Sequence, residues 1–281
     1  MKNLIIRTLS GAIYVLLLIG CTMYSPISAF FFFALIAAAT LWEFGSIMNA
    51  RVHASMPRLI NSAAGFVLVA AVWLSTIASP QTARMFALYG LLLIYILVAE
   101  LYRHAKTPLR NWAFCFASQI YVALPFALLS LLYINFNEEL GVFEPSNWIY
   151  PLALFIFLWV NDTFAYLFGL TLRGFFPAKL FPRISPKKSW IGSIGGAIFT
   201  LAASYLVYSW QPDTMPLERW VGFAAVVILF GTWGDLVESL IKRQLGIKDS
   251  GKVLPGHGGL LDRFDSALLA IPASVIYFIL T

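Results

Sequence analysis

Apolar residues run through this chain in long blocks rather than in the alternating or three-four spacing of a water-soluble protein. Nine blocks stand out, each bounded by charged residues, proline or both: about 4–21, 26–48, 59–79, 84–102, 112–133, 148–172, 190–210, 218–241 and 262–281. Each is close to the roughly 20 residues that a helix needs to cross the hydrocarbon core of a bilayer. No block has the alternation of a β-barrel strand, and in lipid a helix satisfies its backbone hydrogen bonds within one segment. The pattern predicts an all-α, polytopic integral membrane bundle of about nine transmembrane helices. It divides into N-terminal helices (1–111), middle helices with a basic loop (112–189), and C-terminal helices carrying the most polar stretch (190–281).

Composition narrows this further. Hydrophobic residues make up 60% of the chain and charged ones 11%, with a mean hydropathy of +0.81. A soluble domain carries roughly 25% charged residues. There is too little polar surface here to cover a water-facing globule. Cys21 and Cys115 lie in or beside apolar runs, without the spacing of a disulfide framework or a zinc site. Lys2 and Arg7 ahead of an apolar run, with Leu18-Ile19-Gly20-Cys21 after it, resemble a signal peptide with a lipoprotein cleavage box. Eight further apolar blocks favour a first transmembrane helix that is retained.

Charge sets the sidedness. With the N-terminus in the cytoplasm, 17 of the 19 Lys and Arg residues fall on the inside, leaving Arg84 and Arg219 outside. The outer loops hold Glu138, Glu139, Glu144, Asp213 and Glu218. Gaining or losing one helix before the middle would scramble that bias, so the positive-inside rule supports nine crossings. Ten of the inside charges fall between Arg173 and Arg263. Basic residues beside a membrane often only contact anionic lipid, but here acidic residues, Gly and Pro are mixed among them.

The densest polar stretch runs from Ser239 to Asp265. Within it, Pro255, Gly256, His257, Gly258 and Gly259 let backbone approach a ligand closely, because glycine has no Cβ. Such N–H groups form an anion-binding nest ahead of a helix N-terminus. Acidic side chains at membrane depth are costly and mark function by default. Asp235 has Glu238 and Ser239 on the same helical face, and Asp262 shares a face with Asp265. A hard cation such as Mg²⁺ takes one or two carboxylates plus phosphate oxygens and water. The competing reading is ion pairing, of Glu238 with Lys242 above all. Asp162, mid-helix, needs a partner or a polar cavity. Lys187, Lys188 and Ser189 stand just before an apolar helix, where the helix dipole favours phosphate. Gly192 and Gly196 have the spacing for close helix packing. Glu43 and Glu100 are read as reaching the interface, with pairing inside the bundle as the alternative. His53 and His104 are read as solvated.

These residues carry a resemblance. Ser239, Lys242-Arg243, Lys248-Asp249, His257-Gly258-Gly259, Asp262-Arg263 and Asp265 resemble the signature of phosphatidate cytidylyltransferases, with every spacing kept. Gly234-Asp235-Leu236, the segment Ser185 to Trp190, and Asp162 with Ala165-Tyr166 look like the same family. The likeness covers roughly 155–281. It departs at Ile191, where the family usually has Glu or Gln. The resemblance implies transfer of the cytidylyl group of CTP to phosphatidate, giving CDP-diacylglycerol and pyrophosphate, at the cytoplasmic face of a bacterial inner membrane. On this reading Asp235 and Asp262 hold Mg²⁺, with Asp265 and Asp162 in support and Lys248 and Asp249 in the catalytic set. Ser185, Lys187, Lys188, Lys242, Arg243 and Arg263 hold substrate, and His257, Gly258 and Gly259 close the loop over it. The expected partners are CTP, phosphatidate and the bilayer, not nucleic acid, with a homodimer left open. A related transferase for another lipid phosphate or lipid alcohol is the alternative enzyme. A transporter is the alternative class, although the ionisable cluster sits toward one face and no internal repeat is seen.

Overall fold

Ser25 alone separates α1 (Lys2–Tyr24) from α2 (Pro26–Arg51). Its hydroxyl accepts the Ser28 N–H at 3.1 Å while the Ser28 hydroxyl accepts the Ser25 N–H at 3.1 Å, a reciprocal cap on the first turn. Pro26 opens α2, where a missing N–H costs nothing. Helices α3 (Arg58–Thr76) and α4 (Thr82–Arg103) follow. The next crossing, Pro108–Tyr133, is broken into α5 (Pro108–Ser118), a π turn at Gln119–Ala123, α6 (Leu124–Leu129) and a 3₁₀ turn at Ser130–Tyr133. Pro125 lies just after the π turn; it has no N–H to give, and a widened turn is one way a helix passes such a residue. A short antiparallel hairpin of β1 (Ile134–Asn137) and β2 (Val142–Pro145) comes next.

The remaining elements are α7 (Ile149–Thr171), the hairpin β3 (Lys179–Phe181) and β4 (Ser185–Ser189), then α8 (Trp190–Trp210), α9 (Leu217–Gln244) and α10 (Leu261–Leu280). This computed structural model describes residues 2–77, 79–137, 142–145, 147–172, 174–175, 177–251, 253, 256 and 258–281. Among them, eight helical stretches are long and apolar enough to span a membrane, and Thr8–Tyr24 is a shorter apolar helix. These coincide with the nine blocks of the sequence, so the protein is an all-α polytopic membrane protein. The β3–β4 hairpin is a structural addition: the apolar pattern leaves that stretch as loop.

Two compact units divide the chain. The first comprises Met1–Ile149 and Ile247–Phe264, the second Tyr150–Gly246 and Asp265–Thr281. In lipid, apolar burial gives helices little reason to associate, so close contact and internal polar bonds do that work. The first unit uses both. A Cβ on Gly65 of α3 would collide with Leu41 of α2 and stand 3.3 Å from Ala123 of the π turn. Asn61 donates to Ser118 Oγ at 2.8 Å and accepts from Gln119 Nε2 at 3.0 Å, fastening α3 to the broken crossing. Glu100 is buried, 2.6 Å from Arg103 Nη1 and 2.9 Å from Asn111 Nδ2. Glu43 is likewise buried and bonded. Pairing inside the bundle, not reach to the interface, therefore describes both glutamates: each finds donors within its own unit. His53 and His104 are exposed, as expected.

The second unit packs on small residues. A Cβ on Gly192 of α8 would stand 2.6 Å from the Ala165 carbonyl of α7, and one on Gly196 would stand 2.7 Å from the Asn161 carbonyl. Phe164 and Phe199 stack at 3.8 Å between the same helices. On α9, a Cβ on Gly234 would stand 2.6 Å from the Asp265 carbonyl of α10. Trp220, Phe157 and Phe223 fill the centre and are fully buried.

Candidate active site

A cavity of about 510 Å³ opens in the second unit. Asn161, Asp162 and Tyr166 of α7 form one wall, Lys187, Lys188 and Ser189 of β4 another, and Thr232 and Asp235 of α9 a third. The sequence builds this locally. Ser189 caps α8, its hydroxyl accepting the Gly192 N–H at 3.3 Å. The cap fixes the end of β4, and Lys187 and Lys188 then stand at the positive end of the α8 dipole. The α7–α8 glycine contacts bring Asp162 onto the same cavity. The sequence asks for a partner or polar cavity for this mid-helix carboxylate, and the cavity is there.

Lys188 Nζ lies 2.6 Å from Asp235 Oδ2, and Ser239 donates to Asp235 Oδ1 at 3.1 Å. Ser239 is one turn along α9, as the spacing requires. Asp235, Glu238 and Asp265 each bring a carboxylate oxygen to within 4.8 Å of the others. Glu238 is also 2.6 Å from Lys242 Nζ, which is the ion pair anticipated from their i, i+4 spacing. Three carboxylates converging beside Lys188 and Lys242 are hard oxygen donors, and such a set fits a hard divalent cation. The close approach of α9 to α10 at Gly234 makes the cluster, because it brings the backbone of Asp265 against α9.

In the first unit, the loop before α10 is folded around two carboxylates. Asp262 Oδ2 accepts the N–H of Ser250 at 2.8 Å, the Ser250 hydroxyl at 2.9 Å and the N–H of Gly259 at 2.9 Å. Gly258 has φ 87°, a conformation that favours glycine, and a Cβ there would stand 2.6 Å from Asp262 Oδ2. Gly258 is thus explained by the fold around Asp262, and Gly259 by Glu43 and Ser250, which a Cβ there would strike. Glu43, from α2, is the second carboxylate. It shares the single Ser250 hydroxyl proton with Asp262, its Oε1 lying 2.6 Å from Ser250 Oγ, and accepts the N–H groups of Leu260 and Leu261 at 3.0 Å each.

The chain matches the model of the cytidylyltransferase family over residues 5–281. It is 32% identical to the phosphatidate cytidylyltransferase of Staphylococcus aureus strain COL over 95% of this chain and 96% of that protein. The Staphylococcus haemolyticus protein of the same name gives 32% over 95% and 96%. That of Staphylococcus epidermidis gives 32% over 98% and 99%. The chain belongs to the cytidylyltransferase family.

The other motif residues of this cytidylyltransferase divide between the units. In the second, Arg243 Nε donates to the Ile184 carbonyl at 3.3 Å, tying the end of α9 to the β3–β4 turn. Ser185, half-buried at the start of β4, pairs with Phe181. In the first, Lys248 and Arg263 are exposed, and Asp249 lines a second cavity of about 550 Å³ with Trp42, Ser46 and Arg51 of α2. His257 lies outside the described residues, as do Arg173, Lys252, Glu138 and Glu139 from the charge pattern. Two participants escaped the motif reading, Ser250 and Glu43. The signal for Glu43 was present: an acidic residue between Trp42 and Phe44, inside an apolar block.

Proposed function

We propose that this protein transfers the cytidylyl group of CTP to phosphatidate, releasing pyrophosphate and forming CDP-diacylglycerol. The observation that carries the reading is the second-unit cavity: the capped start of α8 presents Lys187 and Lys188 opposite the Asp235 carboxylate, in a chain of the cytidylyltransferase family. The near-full-length relatives named phosphatidate cytidylyltransferase support the same substrate pair.

The lipid phosphate is largely a dianion near neutral pH, its second pKa being about 6. It needs no protein base to attack the α-phosphorus. An oxygen of the lipid phosphate forms the new P–O bond as the bond to the β-phosphate oxygen breaks, and pyrophosphate leaves with that electron pair. The protein's task is to hold anions in line and offset their charge. Lys187 and Lys188 bind phosphate oxygens at the α8 N-terminus; Lys188 exchanges its Asp235 contact for substrate. Asp235, with Asp265 and Glu238 beside it, would hold Mg²⁺, which when bound would supply Lewis-acid stabilisation of the cytidylyl group in transfer. Asp162 and Ser185 border the nucleotide path, and Lys242 and Arg243 add positive charge at the end of α9. Asp262, the other carboxylate expected to hold Mg²⁺, is the essential carboxylate of the first unit, and Lys248, Asp249, His257, Gly258, Gly259 and Arg263 attend the anionic substrates. The reaction faces the cytoplasm of a bacterial inner membrane, where a water-soluble nucleotide meets a bilayer lipid. The test is purified protein with labelled CTP, Mg²⁺ and phosphatidate in mixed micelles. A CTP-, lipid- and Mg²⁺-dependent liponucleotide is the expected product, and its absence overturns the proposal.

A further inference from the structure

The family motif accounts for Asp262 but not for what orients it. The Ser250 hydroxyl lies 2.6 Å from Glu43 Oε1 and 2.9 Å from Asp262 Oδ2, so one short side chain links two carboxylates that are 219 positions apart (262 minus 43). Glu43 also takes the N–H groups of Leu260 and Leu261, each at 3.0 Å. These amides begin α10, where no intrahelical carbonyl can reach them. A carboxylate there satisfies both orphan donors and complements the positive end of the helix dipole. The loop is moulded to this side chain: a Cβ on Gly251 would stand 2.8 Å from the Glu43 carboxyl carbon, and one on Gly259 would stand 2.5 Å from it. Glu43 is buried and comes from α2, far along the chain from the motif.

We infer that Glu43 is a positioning residue for the transferase motif: it fixes the start of α10 and, through Ser250, the carboxylate of Asp262. Glu43→Gln keeps the shape but puts an NH₂ group where an oxygen now accepts a hydrogen bond. The amide then has one acceptor oxygen for three donors, so it fails either Leu260 or the pair Leu261 and Ser250, and the charge that anchored all three is gone. Ser250→Ala breaks the same link from the other side while leaving the two amide bonds in place.

This inference rests on the proposed reaction for its kinetic arm only. Wild type, Glu43→Gln, Ser250→Ala and the double variant are assayed for CDP-diacylglycerol synthesis, with kcat referred to the monodisperse protein. Partners that orient a functional carboxylate typically contribute about 10–100-fold. Each single variant is expected to lose kcat in that range, with the KM for CTP within about twofold of wild type, because Lys187 and Lys188 are untouched. The double variant is expected to lose no more than the worse single one, since both changes break one linkage. Asn61→Ala, another buried hydrogen-bonded site of the first unit, is expected to lower Tm without this kcat loss. Amide exchange over 247–264, measured without substrate, is expected to quicken in Glu43→Gln, most at Leu260 and Leu261. An inactive wild type sinks the proposed reaction, and amide exchange then still decides the positioning role. An active wild type with unchanged kcat and exchange in Glu43→Gln overturns the inference. So does a kcat loss that Asn61→Ala reproduces, or multiplicative losses in the double variant. If Glu43→Gln does not yield folded protein, an unchanged kcat in Ser250→Ala overturns it.

Discussion

Replacing Asp235 by Asn separates the work of this carboxylate in catalysis from its part in holding the fold. Asp235 makes one attraction and two repulsions: Lys188 Nζ is 2.6 Å away, and oxygens of Glu238 and Asp265 lie within 4.8 Å. At an effective dielectric of about 20, the ion pair is worth about 6 kcal/mol and each full-charge repulsion about 3.5 kcal/mol. The side chains are 25% and 28% exposed, so solvent weakens these terms on both sides of the balance. Two repulsions therefore nearly cancel one attraction, and Asn still offers an oxygen to Ser239 and Lys188. Folding stability should change by no more than about 2 kcal/mol, or about 4–8 °C in Tm for a chain of this size. Catalysis has no such cancellation. A lost cation site forfeits several kcal/mol of transition-state stabilisation, and at 1.36 kcal/mol per decade that is at least about 100-fold in kcat. The assay pairs turnover at saturating CTP, across a Mg²⁺ titration, with thermal unfolding in detergent. Near wild-type turnover at ordinary Mg²⁺ would falsify the metal assignment. A Tm drop beyond about 10 °C would show that the charge balance is wrong and that Asp235 is chiefly a structural anchor.

Lys188→Ala should raise the KM for CTP by about tenfold while keeping part of kcat, since it removes one phosphate contact and leaves the carboxylates in place; an unchanged KM in a CTP titration would remove Lys188 from the substrate path. Gly196→Leu places a side chain where even a Cβ would stand 2.7 Å from the Asn161 carbonyl, so unfolding should come at least about 1–3 kcal/mol more easily; a Tm equal to wild type would mean that α7 and α8 do not meet there. Single cysteines at Lys248 and Asp213, both exposed, should react with a membrane-impermeant maleimide from opposite sides of the bilayer. Labelling of both from one side would break the nine-crossing topology and the cytoplasmic placement of the motif.

The bundle was legible because lipid leaves the chain few choices. A segment that must satisfy its own backbone within the hydrocarbon is a helix, and its length is set by membrane thickness rather than by tertiary context. That α8 packs closely was legible for a similar reason, as the spacing of Gly192 and Gly196 states which face must be bare, but the spacing does not name α7 as its partner. Local pairs also read through: Ser239 on Asp235 and Lys242 on Glu238 follow from one helical turn. The β3–β4 hairpin was not legible. It sits outside the hydrocarbon pattern, and the charged and polar residues from Lys179 to Ser189 show no alternation strong enough to mark a strand.

What the sequence hid most completely is the partner of a buried charge when the two are far apart along the chain. Glu100 and Glu43 sit in apolar blocks near helix ends, and from position alone each reads as an acid that reaches for water. Spacing offers Glu100 a basic residue one turn on, Arg103, and offers Glu43 none. Glu100 is answered by Arg103, one turn away, and by Asn111 at the start of the next crossing. Glu43 is answered only after the chain has crossed the membrane several more times, by Ser250, Leu260 and Leu261. Burying a carboxylate without donors is costly, so an acidic residue deep in an apolar block is itself a statement that donors exist. Its position cannot name them. Backbone N–H groups at the start of a helix are the donors a sequence hides best, because every helix has them and no residue type marks them. A motif rich in glycine ahead of a helix is therefore worth reading as a demand for an acid elsewhere in the chain, as much as for a phosphate. In this protein Glu43 meets that demand by accepting the Leu260 and Leu261 N–H groups, and Gly259 leaves room for its carboxylate.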